Sequence, residues 1–437
     1  MDELYNNIYC SGYLILWILT FIGYHFMAKR IDSGSAIIGT YILYGIFSLI
    51  TLNDPIFSSS YKELKIFPYI YLYVMILISM SPIIYQHCHY TKEIEDPKTR
   101  MWTILGWVIA ISAVMMLPSI ISNFGTGIVK LFTDSDAGKD AYMEQVEGAE
   151  SAGGKIRNLP AVIFNALSDF CVFIFFYLLT QEKKKKLLII ALFCAMMIAI
   201  IIPITNGQRG GVIMEVMTII GGYMLFRQYI NRKINKVITK IGVILMITVS
   251  LPIAAITMSR FSSVGPSVSS FLTWYVGQGS LYFNNYGLDD GGIRNGDRTI
   301  NLFKRIVVSD TPKNYTERRE KYHNLEIDDD LFSTFVGDFT IDFGPIAAFL
   351  IFLIFNTYIL SKIRQKDEMA KLDKLLLVYF AICVNMQGGM ALFSFSDTAN
   401  LRLIVFAFIY AYQRYHEQLL VKFPLKEASN NKKLLDP

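Results

Sequence analysis

The chain has 437 residues, of which 53% are hydrophobic and 18% charged. No single core in water hides that much apolar surface, which excludes an ordinary soluble protein of this length. The net charge of +5 is split into short basic clusters between apolar stretches, a pattern that marks membrane topology and argues against a nucleic-acid partner.

Eleven apolar stretches are each long enough, at about 1.5 Å per residue, to span or nearly span hydrocarbon. They lie near 8–27, 35–52, 66–86, 101–122, 159–180, 187–204, 211–226, 241–258, 345–361, 375–392 and 401–419. All are expected to be helices, because a lipid-exposed segment must satisfy its own backbone groups. The expected class is therefore an all-α polytopic membrane protein, a single domain over 1–437 with about 11 transmembrane helices. The first stretch lacks a basic leader and a small-residue cleavage site, and reads as a membrane helix rather than a signal peptide. The five cysteines show no paired spacing that would suggest a disulfide framework.

Lys and Arg fall on alternate loops, from Lys29 and Arg30 through Lys183 to Lys186 and on to Lys432 and Lys433. The loops on that side hold 24 of the 41 basic residues but 11 of the 36 acids, so that side is expected to be cytoplasmic. The N-terminus is then outside, the C-terminus inside, and two long loops, 123–158 and 259–344, are outside.

The first outer loop is acidic and glycine-rich, with no apolar pattern, and reads as a mobile surface segment. The second opens with Val268, Phe271, Leu272, Tyr275, Gly279, Tyr282 and Tyr286 at helical spacing, with Gln278 and other polar residues opposite. This amphipathic helix could lie flat on the outer leaflet beside a lipid substrate, or simply cover the bundle. The loop 259–344 is the candidate catalytic region.

Thr205-Asn206-Gly207-Gln208-Arg209-Gly210-Gly211 forms a turn between two membrane helices that puts one arginine at the outer edge. A guanidinium offers a planar fork of donors suited to a phosphate or pyrophosphate, although a snorkelling arginine explains the same pattern. Arg260 and Arg402 are expected at similar depth, with Asp397 beside the latter. Asp169 and Glu215 fall inside apolar stretches, where an ionisable group must find a partner or line a cavity. Arg294 and Arg298 sit in a polar glycine-rich segment and add donors for sugar or phosphate. His323 is the only histidine in either outer loop; with an ordinary pKa of about 6.5 it could accept a proton from a sugar hydroxyl. Asp338 and Asp342 precede Gly344-Pro345 at the start of a late helix. Asp134-Ser135-Asp136, Asp328 to Asp330 and His87-Cys88-His89 lack the context of a metal site, and neither a metal nor a cofactor is expected.

Thr205 to Gly211, the aromatic stretch Trp274-Tyr275-Val276-Gly277-Gln278 and Phe335 to Gly344 resemble those of the Wzy-type O-antigen and oligosaccharide repeat-unit polymerases, and the likeness covers most of the chain. The resemblance implies a GT-C-like fold and a glycosyltransferase of the bacterial cytoplasmic (inner) membrane, active in lipopolysaccharide or capsule synthesis. Its expected partners are a polyprenyl-pyrophosphate-linked oligosaccharide, membrane lipid and a chain-length regulator. It implies that a hydroxyl of an incoming lipid-linked unit displaces the pyrophosphate of the growing chain. Arg209, Arg260, Arg294, Arg298, Arg402, Gln278, Tyr282, Asp338 and Asp342 are then candidates for binding pyrophosphate and sugar, with His323, Arg298 and Arg209 as catalytic candidates. His323-Asn324 also resembles the histidine-asparagine pair of O-antigen ligases, which makes a ligase the nearest rival. A flippase would require internal repeats, and none is visible.

Overall fold

The computed structural model describes residues 2–89, 91, 93–97, 99–133, 159–206, 208–261, 268–313, 315–327, 331–364, 369–390 and 396–422. Among them the chain is almost wholly helical. In order, the helices are α1 (Asp2–Ala28), α2 (Ser33–Leu52), α3 (Ile66–Cys88), α4 (Met101–Thr133), α5 (Leu159–Thr180), α6 (Lys186–Thr205), α7 (Arg209–Phe226) and α8 (Arg232–Phe261). There follow α9 (Val268–Tyr282), α10 (Asn301–Val307), α11 (Tyr315–Lys321), α12 (Thr334–Phe343), α13 (Pro345–Ile363), α14 (Leu372–Gln387) and α15 (Asp397–Lys422).

Nine of these, α1 to α8 and α13, are long and apolar enough to cross a membrane. The last two expected spans also form helices. However, α14 has only 16 residues, about 24 Å of rise, and the 26-residue α15 carries more polar side chains. The fourth expected span is longer than its apolar stretch, since α4 continues to Thr133; the rest of the first outer loop lies outside the described residues.

The bundle is organised around α5, whose residues from Phe164 to Leu179 are almost continuously buried. By contrast, α8 shows Val243, Ile244, Ile247 and Leu251 to its surroundings, an apolar surface suited to lipid. Lipid offers no hydrophobic drive between helices, so close packing of small residues matters more. Two adjacent glycines of α7 show this. A Cβ on Gly221 would lie 2.8 Å from Ile382 of α14, and one on Gly222 would lie 2.6 Å from Val172 of α5.

The helix α9 packs along α2. Gly277 lies on the Phe47 backbone, where a Cβ would come within 2.5 Å of its carbonyl, and the Ser48 hydroxyl donates to the Gly277 carbonyl at 2.7 Å. The helix is buried from Gly277 to Tyr282, so its second half covers the bundle and presents no free apolar face to a lipid surface.

Loops that the charge count assigns to one side meet each other. On the basic side, Glu95 donates its backbone N–H to the Ala370 carbonyl at 2.9 Å, and Ala370 returns one to Glu93 at 2.8 Å. On the other, Asn285 and Asn284 accept the backbone N–H groups of Lys62 and Lys65 at 3.0 and 2.9 Å, and Lys62 pairs with Glu326.

Candidate functional site

Three helices place charged groups on one cavity of about 280 Å³: Asp169 from α5, Glu215 from α7 and Arg402 from α15. The rigid helix α14 adds Gln387 and Tyr379. The guanidinium of Arg402 donates through Nε to the Asn165 carbonyl at 2.7 Å and holds Asp169 at 3.7 Å through Nη1. Both side chains keep about a third of their surface open, 34% and 36%. Gln387 donates to the Thr218 hydroxyl at 2.6 Å, and Tyr379 donates to the Asp169 carbonyl at 2.8 Å. Glu215 makes no hydrogen bond or ion pair among the described residues. The requirement that the two intramembrane acids line a cavity or find a partner is thereby met.

A second cavity of about 530 Å³ lies between α12, α13, α14 and α15. It is almost wholly apolar, and its wall shares Phe335, Phe380, Val384, Leu403 and Phe406 with the first. The two spaces therefore form a charged chamber backed by a greasy one. Phe335 is set in this seam by an unusual backbone. Thr334 before it has φ of +68°, rare for a β-branched residue, and the Phe335 N–H is fixed at 2.7 Å to the Gly388 carbonyl.

Arg209, the first residue of α7, is buried with its guanidinium stacked 4.1 Å from the Tyr275 ring centre. The glycine after it permits that approach, since a Cβ on Gly210 would lie 2.5 Å from the Tyr275 hydroxyl. Gln278 is buried one turn further along α9 and donates to the Tyr275 carbonyl at 3.4 Å. Tyr282 packs against Tyr61 with ring centres 5.2 Å apart. Arg260 lies in the last turn of α8, and its side chain is outside the described residues.

The other arginines of the outer loop serve its own architecture. Arg298 and Asp338 have no exposed side-chain surface and pair at 2.9 Å. Asp342 accepts the backbone N–H groups of Arg298 and Thr299 at 3.1 and 2.7 Å, and the Thr299 hydroxyl at 2.6 Å. Burial raises the Asp342 carboxyl above its ordinary value, against the pull of these donors and of Arg298. Arg294 is paired with Asp290 at 2.7 Å and donates to the Ile327 carbonyl at 3.0 Å; burial likewise raises Asp290. Asp297, fully buried, gathers Lys304 at 2.5 Å, Tyr322 at 2.6 Å and Lys321 at 3.1 Å. Left-handed Asn295 and Gly296, φ +50° and +86°, bend the chain between these pairs.

Neither cavity is lined by Arg294, Arg298, Asp338, Asp342 or His323. His323 is exposed just past α11, with Nδ1 2.6 Å from the Glu320 carbonyl. Asp397 accepts from Asn301 at 3.2 Å and pairs with Arg305, tying α10 to the start of α15. Of the residues singled out in the sequence, the structure thus unites Asp169, Glu215 and Arg402. It adds Gln387 and Tyr379, whose only sequence signal is a polar group within or beside an apolar stretch.

Residues 142–279 match the family model described as O-antigen polysaccharide polymerase Wzy. The match bears out the Wzy-type resemblance and takes in α5 to α8 and most of α9, with Asp169, Arg209 and Glu215. Comparisons with curated proteins and with solved structures found no match.

Proposed function

We propose that this chain polymerises polyprenyl-pyrophosphate-linked oligosaccharide units at the outer face of the bacterial cytoplasmic membrane. The observation that carries the reading is the pair of adjacent cavities with a shared wall, one that sets Asp169, Glu215, Gln387 and Arg402 in an otherwise largely apolar lining and the other almost wholly apolar. A lipid-linked sugar has the same division, with a charged, hydroxyl-rich head on a long hydrocarbon tail. Similarity to a family named for O-antigen polymerisation points the same way.

On this reading the polyprenyl chain occupies the apolar cavity and the pyrophosphate meets Arg402, whereas Arg209, stacked on Tyr275 at the start of α7, lines neither cavity. A hydroxyl of the incoming unit attacks C1 of the donor sugar. As the bond to pyrophosphate breaks, negative charge grows on the leaving oxygen, and a guanidinium fixed in place stabilises it more than the ground state. Arg402 is held by Asn165 and Asp169, one turn apart on α5, and needs little reorganisation to act. The positive-inside bias supports a cytoplasmic basic side, and on that reading this chamber lies in the outer half of the membrane.

Deleting the gene in its host and measuring the surface and lipid-linked glycan by gel and mass spectrometry tests the reading. A single capped repeat unit is expected, and complementation with Arg402→Gln should lower the polymerisation rate by about 10²–10³-fold. Long chains in the deletion strain would overturn it. Long lipid-linked chains that never reach an acceptor would indicate a ligase, and single units trapped on the cytoplasmic face a flippase.

A further inference from the structure

We infer that Glu215 is the general base of the transfer, the group that accepts the proton of the attacking sugar hydroxyl. This inference rests on the polymerase reading and assigns the one role that its arginines cannot fill, because a guanidinium does not give up its proton at working pH.

The cavity itself separates its two acids. Asp169 lies 3.7 Å from Arg402, which also donates to the Asn165 carbonyl. One cation thus faces two carboxylates, and Asp169 is its counter-ion. Glu215 faces the same space with no hydrogen bond or ion pair among the described residues. A carboxylate inside a membrane helix with no counter-charge of its own is costly, and such groups are kept for proton or substrate handling. Glu215 lies six residues into α7, about 9 Å below the start of the helix.

The buried acids of the outer loop, among the described residues, are already committed. Asp338 is taken by Arg298, Asp342 by three donors, Asp290 by Arg294 and the Ile327 N–H, and Asp297 by Lys304, Lys321 and Tyr322. His323 is exposed and outside both cavities. Glu215 instead shares its chamber with Arg402, so a proton acceptor and a cation for the leaving group stand on one space.

The step balances. The acceptor oxygen forms its bond to C1 of the donor sugar while its proton passes to a Glu215 carboxylate oxygen. The bond from C1 to the pyrophosphate oxygen breaks, and its electron pair leaves with the polyprenyl pyrophosphate. Glu215 then releases the proton to water, ready for the next unit.

The test uses the full chain reconstituted in lipid nanodiscs with a polyprenyl-pyrophosphate-linked repeat unit as both donor and acceptor. Glu215→Gln keeps shape and removes basicity, and kcat should fall by about 10²–10⁴-fold with KM unchanged. The wild-type rate should rise with pH through the titration of the carboxylate, and this limb should vanish in Glu215→Gln. It should persist, at a lower rate, in Glu215→Asp, which also decides the matter if the glutamine variant fails to fold. Wild-type turnover by Glu215→Gln, an unchanged acid limb, or a rise in KM alone would each overturn the assignment and leave the polymerase reading standing. No extension by the wild-type chain would remove both.

Discussion

Replacing Arg298 with methionine, or Asp338 with leucine, would strand the opposite charge inside the outer loop. The pair is held at 2.9 Å with no exposed surface on either side chain, so water cannot screen the remaining partner. Breaking one side of such a pair costs about 3–5 kcal/mol. Arg298 also reaches the Leu331 carbonyl at 3.4 Å through its guanidinium; loss of the side chain therefore loosens the 331–343 segment as well, while the backbone N–H to Asp342 is kept. Removing both partners together should cost far less than the roughly 6–10 kcal/mol of two independent losses. The assay is unfolding of the purified full-length chain in detergent for wild type, both single variants and the double variant, with glycan length measured in the complemented deletion strain. Strong coupling, with chain elongation recovering in the double variant in step with stability, is expected. Additive losses would refute the reasoning. So would an Arg298→Met protein that unfolds like wild type and makes no polymer, an outcome that would return Arg298 to the chemistry.

Gly277→Ala should cost about 1–3 kcal/mol by overpacking, because its Cβ would come within 2.5 Å of the Phe47 carbonyl, which belongs to the rigid backbone of α2. Gly39→Ala, on α2 with nothing within 4 Å of its Cβ, serves as the control and should not destabilise the chain in the same unfolding assay. Asp342 supplies a pH prediction. Its folded pKa is raised by burial, so its contribution to stability is fully present below the ordinary 3.8 and is lost as pH rises through the raised value. Between neutral pH and about 4, Asp342→Asn should therefore flatten the gain in stability on acidification. Asp290, raised in the same direction, leaves part of the slope in place. Identical slopes for wild type and variant in pH-dependent melting would contradict this.

Hydropathy and charge are local properties, and they made much of the architecture legible. Each apolar stretch forms a helix because lipid leaves the backbone no other way to satisfy itself, and the loops grouped by basic charge meet on shared sides through Glu95 and Ala370 and through Lys62 and Asn285. Asp169 and Glu215 were conspicuous in the sequence because ionised groups in apolar stretches demand an explanation. Gly210 beside Arg209 leaves room for Tyr275, whose ring stacks on the guanidinium.

Which charge meets which was not legible, because pairing depends on tertiary distance and not on sequence distance. Arg298 read as a ligand group because nothing near it in sequence announces that Asp338, forty residues on, will bury it. The same holds for Arg294 with Ile327 and for His323, whose residue type suited a base but whose position is exposed. By itself the sequence determined a polytopic helical membrane protein and its division into basic and acidic sides. Only the packing of α5, α7 and α15 brought Asp169, Glu215 and Arg402 to one chamber. Helices in lipid are selected locally by burial of the backbone, whereas a site is made by side chains that meet only once those helices have packed.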